Sequence, residues 1–191
     1  MQLDDVHAKR AAFHALHAHG CFVLPNPWDR GSARALERMG FAAIATTSAG
    51  FAWSLGTTDN HVSLEQALTH LEAMASAVSI PVNADFEGGF AVEPADVARN
   101  VARAVATGIA GLSIEDSTGD VRAPLYDMSL AVERIRAARA AIDAADATGS
   151  ATARVLLTGR SEGFFVGRPD IDETIRRLIA YADAGADCLY A

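Results

Sequence analysis

Two residues set the chemical question: Asp85 and Glu87, two apart at the end of the apolar run Pro81-Val82-Asn83-Ala84, with Gly88-Gly89 following at once. Side chains two apart on a strand share a face, so both carboxylates are expected to project together from one strand end. Two like charges held side by side cost free energy unless a cation or a proton sits between them. An all-oxygen donor set of this kind suits a hard cation, Mg²⁺ before others, with Mn²⁺ as the alternative. The competing reading is a solvated strand end leading into a glycine turn.

Other polar groups recur where apolar runs end. Cys21-Phe22-Val23-Leu24 leads to Asn26 and Asp29, with Trp28 between them. Phe41 to Ala45 leads to Thr47 and Ser48. Gly111-Leu112-Ser113-Ile114 leads to Glu115 and Asp116, and Arg154 to Thr158 leads to Arg160 and Glu162. Arginine is a natural bidentate partner of a planar carboxylate. Arg160 therefore reads as a substrate-carboxylate group, or as the ion-pair partner of Glu162 or Glu115. Thr47 and Ser48 read as an anion site, or as the cap of the segment that follows them.

Strand-like runs at 21–24, 41–45, 81–85, 111–114, 154–158 and 188–190 alternate with helical patterns near 4–19, 32–39, 63–79, 93–107, 128–147 and 171–184. The residues after Ser48, through Trp53, Gly56 and Asp59, read as a long loop. Ser63-Leu64-Glu65-Gln66 is a capping box, and Val97, Val101 and Val105 mark one buried helix face. Continuous apolar strands between helices imply a parallel α/β sheet. No G-x-G-x-x-G follows the first run, and five successive strand ends carry polar residues. A TIM (β/α)8-type barrel with its active face at those ends is therefore favoured over a doubly wound sheet. A full barrel needs eight βα units, and the pattern supplies five and the start of a sixth. The expectation is a single partial barrel domain over residues 1–191, truncated after the start of its sixth strand, with an N-terminal helix within 1–20.

The chain has 191 residues, half of them apolar, and a formal charge of −8. That composition supports a packed core and argues against nucleic-acid or anionic-membrane partners. There is no long uncharged apolar run and no signal-peptide pattern, so a cytoplasmic protein is expected. Cys21 and Cys188 are expected as buried core thiols. His14 and His17 fit a packing face of the first helix, and His61 and His70 have no role assigned by pattern.

Taken together and in order, several motifs resemble the isocitrate lyase / phosphoenolpyruvate mutase superfamily, in particular its phosphoenolpyruvate-mutase-like branch. They are Asn26-Pro27-Trp28-Asp29, Thr46-Thr47-Ser48-Ala49-Gly50, Leu55-Gly56 with Asp59, residues 81–89, Ile114-Glu115-Asp116 and Gly159-Arg160-Ser161-Glu162. The resemblance implies a TIM barrel that binds Mg²⁺ and a small 2-oxo or 2-hydroxy acid, and cleaves a C–C or P–C bond through a pyruvate-enolate-like species. It implies Asp85 as direct metal ligand, with Glu87 and Glu115 as companions acting through water. The family more often has aspartate at the position of Glu87. Asp59 resembles a loop acid that orders the metal's waters. Thr47 and Ser48 resemble the site for the substrate's oxo and carboxylate oxygens, Arg160 its carboxylate clamp, and Trp28 a pocket wall. Asp59, Arg160 and Ser48 are the residues this assigns to catalysis. A homo-oligomer is expected for the full-length form.

The loop 116–124 has neither the Lys-Lys/Arg-Cys-Gly-His sequence of isocitrate and methylisocitrate lyases nor the Lys-Thr-Asn-Ser run of phosphoenolpyruvate mutase. A lyase on a small oxo or hydroxy acid is the reading that remains, with a phosphonomutase-type isomerase or a phosphonopyruvate or oxaloacetate hydrolase as alternatives. A reading of another class is a catalytically silent barrel piece that folds with a partner chain.

Overall fold

A computed structural model describes residues 3–146, 150 and 152–191. Met1, Gln2 and Ala147, at the ends of two expected helices, lie outside the described residues. In chain order the elements are α1 (Leu3–His17), α2 (Arg30–Arg38), β1 (Ile44–Ala45), α3 (Ser48–Ser54), α4 (Leu64–Ala77), β2 (Val82–Asp85) and α5 (Pro94–Ala106). Then follow β3 (Gly111–Glu115), α6 (Met128–Ala145), β4 (Leu156–Arg160), α7 (Ile171–Asp183) and β5 (Cys188–Tyr190).

The five strands form one all-parallel sheet in the order β1-β2-β3-β4-β5. No strand order reverses, so this is the sequential winding of a barrel rather than a doubly wound sheet. The sheet curls into a half-barrel. Alternation along each strand sorts its side chains. Ala84, Leu112, Ile114 and Leu157 pack outward against Val97, Val101, Ala131, Ile135 and Tyr181 of the helices, in the main apolar cluster. Asn83, Asp85, Ser113, Glu115, Thr158 and Arg160 occupy the alternate positions and face the concave side.

α1 closes the other end of that concave side. Phe13, 1% exposed, packs with Ala43, Ala110 and Leu156. A Cβ at Gly111 would lie 2.6 Å from the Phe13 ring and 2.5 Å from Asn83 Oδ1, so only glycine fits beneath the plug. α1 also ties down two helix C-termini, whose carbonyls lack partners within the helix. Lys9 Nζ donates to the carbonyls of Ala75 and Val78 at the end of α4, at 2.8 and 2.6 Å. Arg10 donates to Val105 and Ile109 at the end of α5, and to Ala153. Their burial pulls both pKa values down. His14 and His17 play the expected packing part, bonded to the carbonyls of Arg154 and Phe13.

Three expectations need correction. The run 21–24 forms no strand of the sheet. Its Phe22 and Leu24 pack against the α1 plug, and near Pro25 the backbone is tied to β1 by one bond, from Ala45 N–H to the Pro25 carbonyl at 3.0 Å. Pro25 and Pro27 have no N–H with which to extend a ladder. Cys21 is accordingly exposed and Cys188 only partly buried, so neither is the enclosed core thiol expected. The stretch after Thr47 is a short helix, α3, where a loop was expected. Thr47 Oγ1 caps it by accepting from Gly50 N–H at 3.1 Å. The capping box at Ser63 and Gln66 is present and starts α4.

Candidate functional site

The C-terminal ends of β2, β3 and β4 carry the charged residues, and strand register decides who meets whom. Glu115 lies directly opposite Arg160, and Arg160 opposite Tyr190. Asp85 lies opposite Ser113 one level deeper. Beyond the end of β2, the Glu87 carbonyl accepts from Glu115 N–H at 3.1 Å. Glu87 has φ of 47°, so it sits in the turn rather than on the strand. The expectation that Asp85 and Glu87 stand together is met, because both line one narrow cavity with Thr47, Ser48, Phe51, His70 and Phe90. The cause is a left-handed residue at the turn, not strand alternation.

Asp85 is held tightly on one side only. Its Oδ2 accepts from the N–H and Oγ of Ser48, both at 2.9 Å, and its own N–H donates to Thr46 Oγ1 at 2.9 Å. Its Oδ1 is buried and makes no hydrogen bond. The nearest cation to that oxygen is Arg160, with Nη1 at 3.6 Å. Arg160 Nε contacts Glu162 Oε1 and lies 3.9 Å from Glu115 Oε2. The guanidinium also lies 4.8 Å from the Tyr190 ring centroid and 5.6 Å from that of Phe165. One arginine thus serves three carboxylates.

One positive charge is too little for this cluster. Burial pushes Glu115 up to about 8, helped by the charges of Glu162, Asp85 and Glu87 and opposed by Arg160. Burial likewise pushes Glu87 up to about 7, with Asp59 and Asp85 adding to it. Glu162 is raised by burial against the pull of Arg160. Glu87 and Glu115 thus hold protons near neutrality, chiefly because they are buried and secondarily because of the neighbouring carboxylates.

Among the described residues, no group of three or more His, Cys, Asp or Glu side chains is arranged to grip a metal ion directly. The donor chemistry still fits a hard ion that keeps most of its waters. Asp85 offers one buried carboxylate oxygen with no hydrogen bond, and Glu87 and Glu115 stand near enough to repel it. Mg²⁺ is commonly held in this way, by one or two carboxylates plus water.

The remaining predicted residues divide. Thr47 and Ser48 line the cavity, but their hydroxyls already serve the α3 cap and Asp85. Asp59 is exposed in a turn with Asn60, at φ of 61°, yet its charge reaches Glu87. Trp28 is 50% exposed, backs onto the first turn of α3, and does not line the cavity.

Three supporting residues were not assigned to the site from sequence. Asp116, 2% exposed, accepts from Glu162 N–H at 2.8 Å, Tyr181 Oη at 2.6 Å and Arg177 Nη1 at 3.2 Å. It therefore locks the loops after β3 and β4 to α7. Arg134, 1% exposed, donates to the carbonyls of Gly88, Ala91 and Val92 and lies 4.0 Å over the Tyr126 ring. It braces the loop that carries Glu87, and a Cβ at Gly88 would lie 2.9 Å from its Nη2. His70 stacks on Phe51 at 3.8 Å, its Nε2 buried without a hydrogen bond, and burial lowers it to about 4. Of these only the Asp116 position, next to a strand-end glutamate, left a sequence signal. The other two depend on contacts 42 to 46 and 19 residues away.

Comparison with known proteins bears on this geometry. The family model described as phosphoenolpyruvate phosphomutase matches residues 13–191. The 2-methylisocitrate lyase of Escherichia coli (strain K12) is 31% identical over 159 residues, covering 81% of this chain and 51% of the relative. The crystal structure of a candidate lyase/mutase from Burkholderia cenocepacia J2315 superposes with a TM-score of 0.91 at 45% identity, covering 98% of this chain and 66% of that one. A phosphonopyruvate hydrolase, solved in complex with oxalate and Mg²⁺, superposes with a TM-score of 0.80 at 29% identity, covering 98% of this chain and 62% of that one. The chain thus spans about half to two thirds of the length of these relatives.

Proposed function

The chain belongs to the phosphoenolpyruvate phosphomutase family, within the isocitrate lyase / phosphoenolpyruvate mutase superfamily, and from that membership we propose a Mg²⁺-dependent lyase acting on a small 2-oxo or 2-hydroxy acid. The observation that carries this reading is the meeting of Asp85, Glu115 and Arg160 at adjacent strand ends, with one Asp85 oxygen unbonded. Asp85 would hold the ion, with Glu87 and Glu115 orienting its waters. A bound Mg²⁺ would polarise the oxo group and stabilise enolate-like charge as the adjacent C–C or P–C bond breaks.

The chain's own residues supply the rest. Ser48 holds Asp85 through two donors, which fixes the direction of the free Oδ1. Arg160 offers a planar fork to the acid's carboxylate, with Tyr190 on one side and Phe165 farther off. Asp116 fixes the Glu162 backbone and so the position of Arg160's partner. Arg134 holds the turn that sets Glu87. The loop 117–124 brings no cysteine or histidine to the site, which favours substrates whose cleavage asks for no loop thiol over isocitrate and methylisocitrate.

The test is pyruvate release from oxaloacetate, phosphonopyruvate and 2-methylisocitrate, with Mg²⁺ and with EDTA. Release that needs Mg²⁺ and falls at least ~100-fold in Asp85→Ala supports the reading. Turnover that is indifferent to both would refute it.

A further inference from the structure

We infer that Arg160 and a divalent cation compete for the same oxygen, Asp85 Oδ1, so that cation binding releases the guanidinium to the substrate's carboxylate. The inference rests on the metal-dependent reading above and adds to it a reason for metal and acid to bind in concert.

The two Asp85 oxygens have different partners. Oδ2 is committed to both Ser48 donors. Oδ1 is buried, makes no hydrogen bond, and has Arg160 Nη1 as its cation at 3.6 Å. That separation is an ion pair but too long for a good hydrogen bond. The opposite edge of the same guanidinium is anchored more firmly, with Nε on Glu162. Tyr190 and Phe165 lie beside the group. It can therefore turn Nη1 away from Asp85 while Nε stays on Glu162.

A Mg²⁺ on Oδ1 would bind at about 2.0–2.1 Å, and a guanidinium left in place would face a dication across one oxygen. Like charges at that separation repel, so the two exclude each other. The displaced Nη edge faces the concave side, where a planar carboxylate can take it in a two-point bond. Cation and oxo acid then favour each other through Arg160, over and above direct chelation, and by linkage the coupling is reciprocal.

The test is a Mn²⁺ titration followed by electron paramagnetic resonance of the free ion, with no oxo acid present. Arg160→Gln is expected to bind Mn²⁺ roughly tenfold more tightly than the unaltered chain, a usual size for coupling between sites. Arg122→Gln removes an equal charge from an exposed residue paired with Asp120, and is expected to change affinity by less than about twofold, as a screened surface charge should. Should Arg160→Gln fail to fold, Arg160→Lys takes its place. A single ammonium cannot hold Glu162 and reach Asp85 at once, so affinity should shift the same way by a smaller factor. Unchanged or weaker Mn²⁺ binding in the folded variant, with binding still lost in Asp85→Asn, overturns this inference and leaves the metal reading standing. No Mn²⁺ binding by the unaltered chain, or binding indifferent to Asp85→Asn, overturns both.

Discussion

Asp85 and its neighbours show how charge is balanced at the level of single residues. Glu115 and Glu87, raised from 4.5 to about 8 and about 7, keep protons in the folded chain that the unfolded chain releases. Between those values the folded state binds more protons, so its stability falls as pH rises. His70, lowered from 6.5 to about 4, acts in the opposite sense, and its contribution is lost as pH falls below 6.5. Above that value only the carboxylates count. Thermal melts in EDTA are therefore expected to lose on the order of 1–2 kcal/mol between pH 6.5 and 8. Saturating Mg²⁺ should flatten that slope, since a cation replaces the protons. A slope of opposite sign in EDTA would contradict the charge assignment. Asp116→Ala leaves Glu162 N–H and Tyr181 Oη without their buried acceptor, and should cost about 2–3 kcal/mol in a denaturant melt. At this scale the sequence was informative where residue type alone carries meaning. A carboxylate pair beside two glycines, and an arginine at a strand end, are residues that the fold brings near one another. It was silent on Arg134 and His70, whose roles come from the tertiary contacts they make.

At the level of elements, α1 does more than precede the sheet. Lys9 and Arg10 are spent on the ends of α4 and α5, the helices on either side of β2. Arg10→Met should destabilise the chain by about 2–3 kcal/mol, as buried carbonyls lose a charged donor. It should leave Mn²⁺ affinity unchanged, because α1 lies at the end of the sheet away from the carboxylates. A loss of affinity without a loss of stability would contradict that division. The long helices were legible from capping signals and 3.6-residue periodicity, as at Ser63 and at Val97, Val101 and Val105. The short elements were not. Residues 21–24 have the apolar character of a strand, but their burial comes from the α1 plug. Ser48–Ser54 is seven residues long, too short for a periodic signal, and Thr47 as its cap was one of two readings the residues allowed.

At the level of the whole molecule, the sequential parallel sheet sets the site on one face. β5 has a neighbour on one side only among the described strands. Next to it α7 exposes Ile171, Ile175 and Ile179 at 59%, 48% and 57%, with Leu189 and Tyr190 of β5 also exposed. A contiguous apolar stripe of this kind promotes association. Sedimentation of the 191-residue chain should show concentration-dependent self-association, weakened by Ile175→Glu with Ile179→Glu. A strict monomer at all concentrations would contradict this. The winding was legible from the alternation of elements and from the polar strand ends. The plugging of its base was not, because it depends on Gly111 leaving room for Phe13 across the fold.

On the proposed function, Asp85 and Arg160 bind a cation and an oxo acid as one site. The most direct test is calorimetric titration of oxalate, a stable planar mimic of a pyruvate enolate, into the chain with Mg²⁺, with EDTA, and with Mg²⁺ in Asp85→Asn. Binding is expected in the first case and should weaken at least ~100-fold in the other two. Equal oxalate affinity with EDTA, or in Asp85→Asn, would contradict it.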